Sequence, residues 1–235
     1  MTTVRNESDF VPYQAAKSMP RGRSLILAPH PDDEVFGCGG AIIRHAQQGD
    51  EIKVCIVTHG GFAVTSHQEN VEYPGIRKKE SMEAARILGY GEPHFLNYPD
   101  RGLVDDRGFR EHLRNIMLDF RAENIYLPAL TEIHPDHYAL ARAGTYVARN
   151  LDFERKLIYY EIGSMQKTNL LHDITDIQAQ IEKAMDCFES QLKVQDYKRH
   201  INALHIYRTY TLPKAIRYAE AYHILPNREK PDSID

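Results

Sequence analysis

Residues Ser24–Gly40 read SLILAPHPDDEVFGCGG. An apolar run, Leu25–Ala28, stops abruptly at His30, Asp32, Asp33 and Glu34, with Pro29 and Pro31 interleaved. A short strand that is apolar on both faces is what a buried parallel sheet requires. Ionisable side chains crowded at its end are costly to bury and hard to explain as scaffold. Working outward, Phe36–Gln48 reads as a helix: Ala41, Ile42, His45 and Ala46 form its inward stripe, and Gly49-Asp50 ends it. Ile52–Thr58 (IKVCIVT) is a second strand. Strand, helix and strand in succession make a right-handed βαβ unit.

The alternation continues along the chain. His59–Gly75 lacks periodicity and carries Gly60, Gly61, Pro74 and Gly75, so it is expected to be a functional loop, a candidate lid. Helices are expected over Ile76–Leu88, Phe109–Ala122 and Asp136–Asn150, and strands over His94–Leu96, Asn124–Leu127 and Leu157–Tyr160. Asn97–Gly108 is a polar loop. A short strand (Leu171–Thr175), a helix from Asp176 to Gln191 and a tyrosine-rich tail (Tyr207, Tyr210, Tyr218, Tyr222) complete the chain. Residues 1–22 read as an irregular N-terminal arm, and 23–235 as one α/β domain. The expected fold is Rossmann-like: a doubly wound, mostly parallel sheet with helices on both faces. Ligands of such sheets bind beyond the carboxyl ends of the strands, where strand order reverses. The first and fourth strands of this reading flank that reversal, and both run into His/Asp clusters.

Composition narrows the function. The chain has 235 residues, 42% hydrophobic and 26% charged, with net charge −4. That balance gives no electrostatic reason to expect nucleic acid or an anionic membrane. No apolar run approaches the ~18 residues of a membrane span. The opening MTTVRNESDF has no apolar leader region, and Cys38, Cys55 and Cys187 are widely spaced. A cytoplasmic protein with reduced thiols is expected. Gly37, Gly39 and Gly40 do not form the dinucleotide-binding pattern, and the acids before them would repel a pyrophosphate.

Within H-P-D-D-E, His30 and Asp33 can face one point while Asp32 faces another, because neighbouring residues of an extended turn diverge and the prolines stiffen it. One imidazole and one carboxylate supply two of the three protein ligands of a catalytic zinc. His134-Pro135-Asp136-His137 is the obvious source of the third. One of its histidines can bind metal while the other serves as acid or base, and Asp136 could orient an imidazole by accepting its N–H.

These residues carry a resemblance. Pro29–Glu34 with Gly37–Gly40, and His134–His137, are similar to the zinc-dependent N-acetylglucosaminyl deacetylase family, also called LmbE-like or PIG-L. Arg77-x-x-Glu80, Asp100-x-x-Leu103, Ser190-Gln191 and Ala219–Tyr222 resemble weaker family features. The resemblance implies His30, Asp33 and His137 as zinc (Zn2+) ligands and Asp32 as general base toward water. It implies His134 as general acid or stabiliser of the tetrahedral intermediate, with Asp136 tuning it. Either His134 or the protonated Asp32 would then protonate the leaving amine. Arg77 and Asp100 are implied to contact the sugar. The implied reaction removes the acetyl group of an N-acetylated amino sugar, and homo-oligomers are common in the family. Some relatives carry a tyrosine two residues before the first histidine of the second motif. Here that residue is Glu132, expected instead to meet a substrate hydroxyl or amine, or solvent. Glu34 is expected to support the site by a hydrogen bond or at a helix terminus. Two other activities fit the same residues: a related amidase, for instance of thiol conjugates, and a sugar- or metal-binding module without turnover.

Overall fold

The computed structural model describes residues 6–61 and 67–225. A 3-10 turn at Glu7–Asp9 precedes β1 (Ala15–Ala16), β2 (Ser24–Ala28), α1 (Asp33–Gln48), β3 (Ile52–Thr58), α2 (His67–Leu88), β4 (His94–Tyr98), α3 (Arg107–Phe120) and β5 (Asn124–Pro128). Then follow α4 (Pro135–Arg149), β6 (Lys156–Tyr160), β7 (Leu170–Asp173), α5 (Gln178–Met185), α6 (Glu189–Leu192), α7 (Tyr197–Tyr207) and β8 (Ala219–Leu225). The strands form one sheet in the order β1-β7-β8-β6-β5-β2-β3-β4. All pairs are parallel except those of β8, which runs antiparallel between β6 and β7.

The central strand explains the two-sided burial. Ile26 and Ala28 of β2 enter one core with residues of α1, α2 and α5, while Leu25 and Leu27 enter the other with residues of α3 and α4. Alternate side chains of a strand point to opposite faces, so a strand covered by helices on both sides is apolar throughout. The doubly wound reading holds.

Strand order reverses between β2 and β5: β3 and β4 extend the sheet on one side, β6 on the other. The two motif-bearing loops therefore leave neighbouring strands at the same end. Pro29 O accepts Thr58 N–H at 2.9 Å, and Ala129 N–H donates to Tyr160 O at 2.8 Å. Both loops are thus tied to the flanking strands before they diverge.

Four expectations need correction. The lid over 59–75 is helical from His67 onward, and 62–66 lie outside the described residues. Pro74 sits inside α2. The segment is anchored by the buried Tyr73, whose hydroxyl accepts from Gln191 Nε2 at 2.6 Å. The expected helix over 176–191 is broken into α5 and α6, because Phe188 turns into the core and stacks 5.8 Å from Phe36. The tail is ordered: it supplies α7 and β8, with Tyr222 fully buried while Tyr207 and Tyr210 face solvent. The described part of the N-terminal arm carries the Glu7–Asp9 turn and β1, which pairs with β7, and its Met19 is buried. No helix among the described residues is long and apolar enough to cross a membrane.

Candidate metal centre

The turn after β2 places Asp32 just before α1 with φ 137° and ψ −31°. This is a left-handed backbone that a residue with a side chain rarely adopts. Its backbone N–H is held by Glu34 Oε2 at 3.0 Å. Glu34 is fully buried, and burial pushes its carboxyl up to about 8. It supports the turn, as expected, and does not join the metal-binding atoms. Gly37, in the next turn of α1, faces Tyr160 closely: a Cβ there would come within 2.3 Å of the ring. Glycine is therefore required for α1 to start so near the sheet.

Three side-chain atoms converge beyond β2 and β5. His30 Nδ1 lies 3.0 Å from Asp33 Oδ2 and 3.2 Å from His137 Nε2, and His137 Nε2 lies 3.2 Å from Asp33 Oδ2. Ligand atoms of a tetrahedral zinc with bonds of ~2.0–2.1 Å would stand about 3.3 Å apart. Two ring nitrogens facing each other, with a carboxylate oxygen beside them, suit a cation better than protons alone. The opposite ring atoms face carboxylates: His30 Nε2 is 3.1 Å from Asp136 Oδ2 and 3.5 Å from Asp100 Oδ1, and His137 Nδ1 is 3.3 Å from Glu132 Oε2. The donor set fits a divalent metal.

Ligand atoms of His30, His134 and His137 also lie within 4.8 Å of one another, as do those of His30, Asp100, His134 and Asp136. These sets suit a metal less well. His134 Nδ1 already accepts the Asp136 N–H at 3.2 Å. Asp136 accepts the N–H groups of Arg101 at 2.7 Å and Leu103 at 3.1 Å as well as the His30 ring. The carboxylate of Asp136 thus faces His30, not the His134 ring suggested by the motif, and it also fastens the 101–103 loop.

Charge follows this geometry. Burial raises Asp33, but the His137 and His30 rings overcome it and hold the carboxyl well below its ordinary range. Burial lowers His137, yet Asp33 and Glu132 carry it up to about 9. His30 behaves alike: burial opposes the charge, and Asp100, Asp136 and Asp33 raise it well above an ordinary imidazole. Asp32 is pushed up to about 7 by burial, opposed by the Arg77 guanidinium 3.0 Å away. His134 is lowered by burial and by the neighbouring His30 and His137.

Arg77 is buried. Its guanidinium also donates to Pro31 O and, at 3.3 Å, to Gly60 O. Its partner Glu80, 3.9 Å away, accepts Ser190 N–H at 2.8 Å and Ser190 Oγ–H at 2.6 Å. The Arg77/Glu80 and Ser190-Gln191 features therefore form one strut from the Pro31–Asp32 turn through α2 to α6. Around the convergence lies a cavity of about 470 Å³. Asp32, His134, Arg77, Asp100 and Arg101 line it. So do Ile162 and Gly163 after β6, and Gln191, Val194 and Tyr197 at α6 and α7. The sequence pointed to Arg77 and Asp100 at this cavity but not to the walls from 162–163 and 191–197. Their only sequence signal was the Ser190-Gln191 pair.

Residues 25–148, more than half of the chain, match the PIG-L family, described as GlcNAc-PI de-N-acetylase. The chain belongs to the PIG-L family. Among its relatives is the diacetylchitobiose deacetylase of Thermococcus kodakarensis, 25% identical over 86% of this chain and 82% of that protein. A probable N-acetyl-alpha-D-glucosaminyl L-malate deacetylase 2 of Bacillus cereus is 26% identical over 69% of this chain and 77% of its own length. Among solved structures, the conserved protein TT1542 of Thermus thermophilus superposes with a TM-score of 0.75 at 28% identity, covering 90% of this chain and 99% of that one. A 4-carboxy-2-hydroxymuconate hydratase of Pseudomonas putida, GalB, superposes with a TM-score of 0.73 at 19% identity, covering 90% of this chain and 99% of that one. A fold shared with a hydratase does not by itself set the reaction. The assignment to PIG-L rests on the matched residues, which include both clusters of the metal centre.

Proposed function

We propose that this PIG-L family member is a zinc-dependent N-deacetylase that hydrolyses the acetamide of an N-acetylated amino sugar or its conjugate to acetate and a free amine. The observation that carries this reading is the convergence of His30 Nδ1, Asp33 Oδ2 and His137 Nε2 within 3.0–3.2 Å of one another, with Asp32 in the adjoining cavity. Zinc held by those three residues would supply a Lewis acid for the carbonyl and lower the pKa of water to about 7.

The chain's own groups move the protons. Asp32 takes one from the attacking water; a carboxyl raised to about 7 is matched to that task near neutral pH. His134 has its Nδ1 committed to the Asp136 N–H, so its donor is Nε2–H. Its lowered pKa favours a neutral ring. We assign it as a hydrogen-bond donor to the acyl oxygen as negative charge develops there, and give delivery of the amine proton to Asp32. The water proton thus passes through Asp32 to the leaving nitrogen. Asp100 and Arg101, on the cavity wall, are the groups offered to sugar hydroxyls, and Arg77 holds Asp32.

The partner is a small molecule. The cysteines are free, which suits a reducing compartment, and the cytoplasm is the location proposed. A homo-oligomer is proposed from the family resemblance alone. The test is release of primary amine from N-acetylglucosamine and its glycosides by the zinc-loaded protein, with metal content measured alongside. Asp32→Asn is expected to lower kcat at least ~100-fold with zinc content unchanged. A protein that binds zinc and amino sugars without releasing amine is a binding module, and activity confined to thiol-conjugate amides makes it the related amidase.

A further inference from the structure

Glu132 has a place that its position before the second motif did not foretell. It lies in the loop between β5 and α4, where its N–H donates to Ala129 O at 3.1 Å, and only 5% of its surface is exposed. Oε1 accepts the backbone N–H groups of Ile162 at 2.8 Å, Gly163 at 3.1 Å and Ser164 at 3.3 Å. Oε2 accepts Gly163 N–H at 3.1 Å and lies 3.3 Å from His137 Nδ1. Nδ1 is buried and makes no well-formed hydrogen bond among the described residues; the Glu132 carboxylate faces it at ion-pair distance. Both carboxylate oxygens are therefore committed within the protein, and the expectation that Glu132 meets substrate or solvent is corrected.

We propose that Glu132 is a positioning residue that fixes His137 in its Nδ1–H tautomer, freeing Nε2 for the metal, and that fastens the 162–164 wall of the cavity to that same histidine. The inference rests on the metal reading above. A neutral imidazole has one N–H and one lone pair, so an acceptor at Nδ1 decides which nitrogen can ligate. Asp136 does the same from the other side: it accepts at His30 Nε2 and leaves Nδ1 for the metal. The second half of the role follows from the loop. Ile162 and Gly163 line the cavity, and their N–H groups close on the carboxylate that faces the ligand. Gly163 suits this approach, because a Cβ there would stand 3.2 Å from Oε2.

Two variants separate the halves. Glu132→Gln keeps an oxygen for the loop N–H groups but turns an amide NH2 toward Nδ1, which favours the wrong tautomer. Its zinc affinity, read by competition with a chromophoric chelator, is expected to fall ~10–100-fold, while the Tm of the metal-free protein stays near wild type. Glu132→Ala leaves the three amides without an acceptor, and residues 162–164 of the metal-free protein are expected to exchange hydrogen faster. If the alanine variant does not fold, the glutamine variant carries the test. Zinc affinity of Glu132→Gln within twofold of wild type overturns the tautomer role, and unchanged exchange at 162–164 in a folded Glu132→Ala overturns the fastening role. His137→Ala is measured alongside. If it binds zinc as wild type does, or wild type binds none, the metal reading itself fails. If it loses binding while Glu132→Gln keeps it, only the inference about Glu132 fails.

Discussion

Asp32 holds a backbone that costs roughly 1–3 kcal/mol, and the surroundings enforce it through the Glu34 carboxyl on its N–H and the Arg77 guanidinium on its side chain. Strain at that point turns Asp32 aside from the atoms gathered by His30, Asp33 and His137, so adjacent acids serve different ends. Two effects compete for its proton: burial raises the carboxyl, and Arg77 lowers it, leaving it near 7. As the base proposed above, Asp32 works only when deprotonated, so kcat/KM is expected to rise with pH through a limb near 7, not near the ~4 of an ordinary aspartate. Arg77→Met removes the opposing charge. The carboxyl then keeps its proton to higher pH, and the limb moves upward by about one unit or more. Full pH profiles of both proteins check this; a limb that stays put in the variant means that Arg77 does not set the base. The divergence of the two acids was legible in H-P-D-D-E: Asp33 meets His30 and His137, while Asp32 turns to Arg77. The hold of Arg77 on the turn was not, because Gly60, Pro31 and Asp32 lie 17 to 46 positions away in the chain.

At the scale of elements, α1 is the part least like its sequence pattern. Its apolar stripe reads as one continuous helix, but Cys38 has φ −150° and ψ 28°, which breaks the hydrogen-bond ladder. The freed N–H groups of Gly40 and Ala41 are taken by Glu220 of β8 at 2.6 and 3.0 Å, and Tyr222 donates its hydroxyl to the same carboxylate at 2.5 Å. Glu220 is thus an internal helix cap supplied from 180 residues away. The Ala219–Tyr222 feature is explained by this contact, not by substrate. A buried acid within a short strand defeats the alternation rule, which is why β8 was read as tail. Glu220→Ala leaves two backbone donors and a phenol buried without an acceptor, each costing about 1–3 kcal/mol. A loss of at least ~3 kcal/mol in urea unfolding is expected, and a loss below ~1 kcal/mol would mean that α1 does not depend on the cap.

Across the whole molecule, the parallel half of the sheet was legible because helix and strand periods alternate cleanly from Ser24 to Tyr160. The reversal between β2 and β5 followed from connection rules. In the C-terminal third β7 and the start of α5 were legible; the break at Phe188 and strand β8 were not, because Phe188, Glu220 and Tyr222 are placed by packing partners distant in sequence. The metal centre spans the legible half: His30 and Asp33 follow β2, and His137 lies in α4 after β5. These atoms converge only when the two strands pair, so zinc should bind the native state and not the unfolded chain. A ligand at 100 times its Kd then adds about 2.7 kcal/mol to stability. Chelator-treated protein is therefore expected to melt at lower temperature and to recover its Tm, together with any deacetylase activity, when zinc is restored. The variants identify the ligands. Asp32→Asn should keep the zinc-induced rise in Tm while losing turnover, since its carboxylate pairs with Arg77 outside the three-atom set. His137→Ala should lose both. A rise retained by His137→Ala but lost by Asp100→Ala would move the metal to the alternative group of His30, Asp100, His134 and Asp136. In that group Asp136 would have to release the Arg101 and Leu103 N–H groups it now holds, so amide hydrogen exchange would show the 101–103 loop loosening as zinc binds.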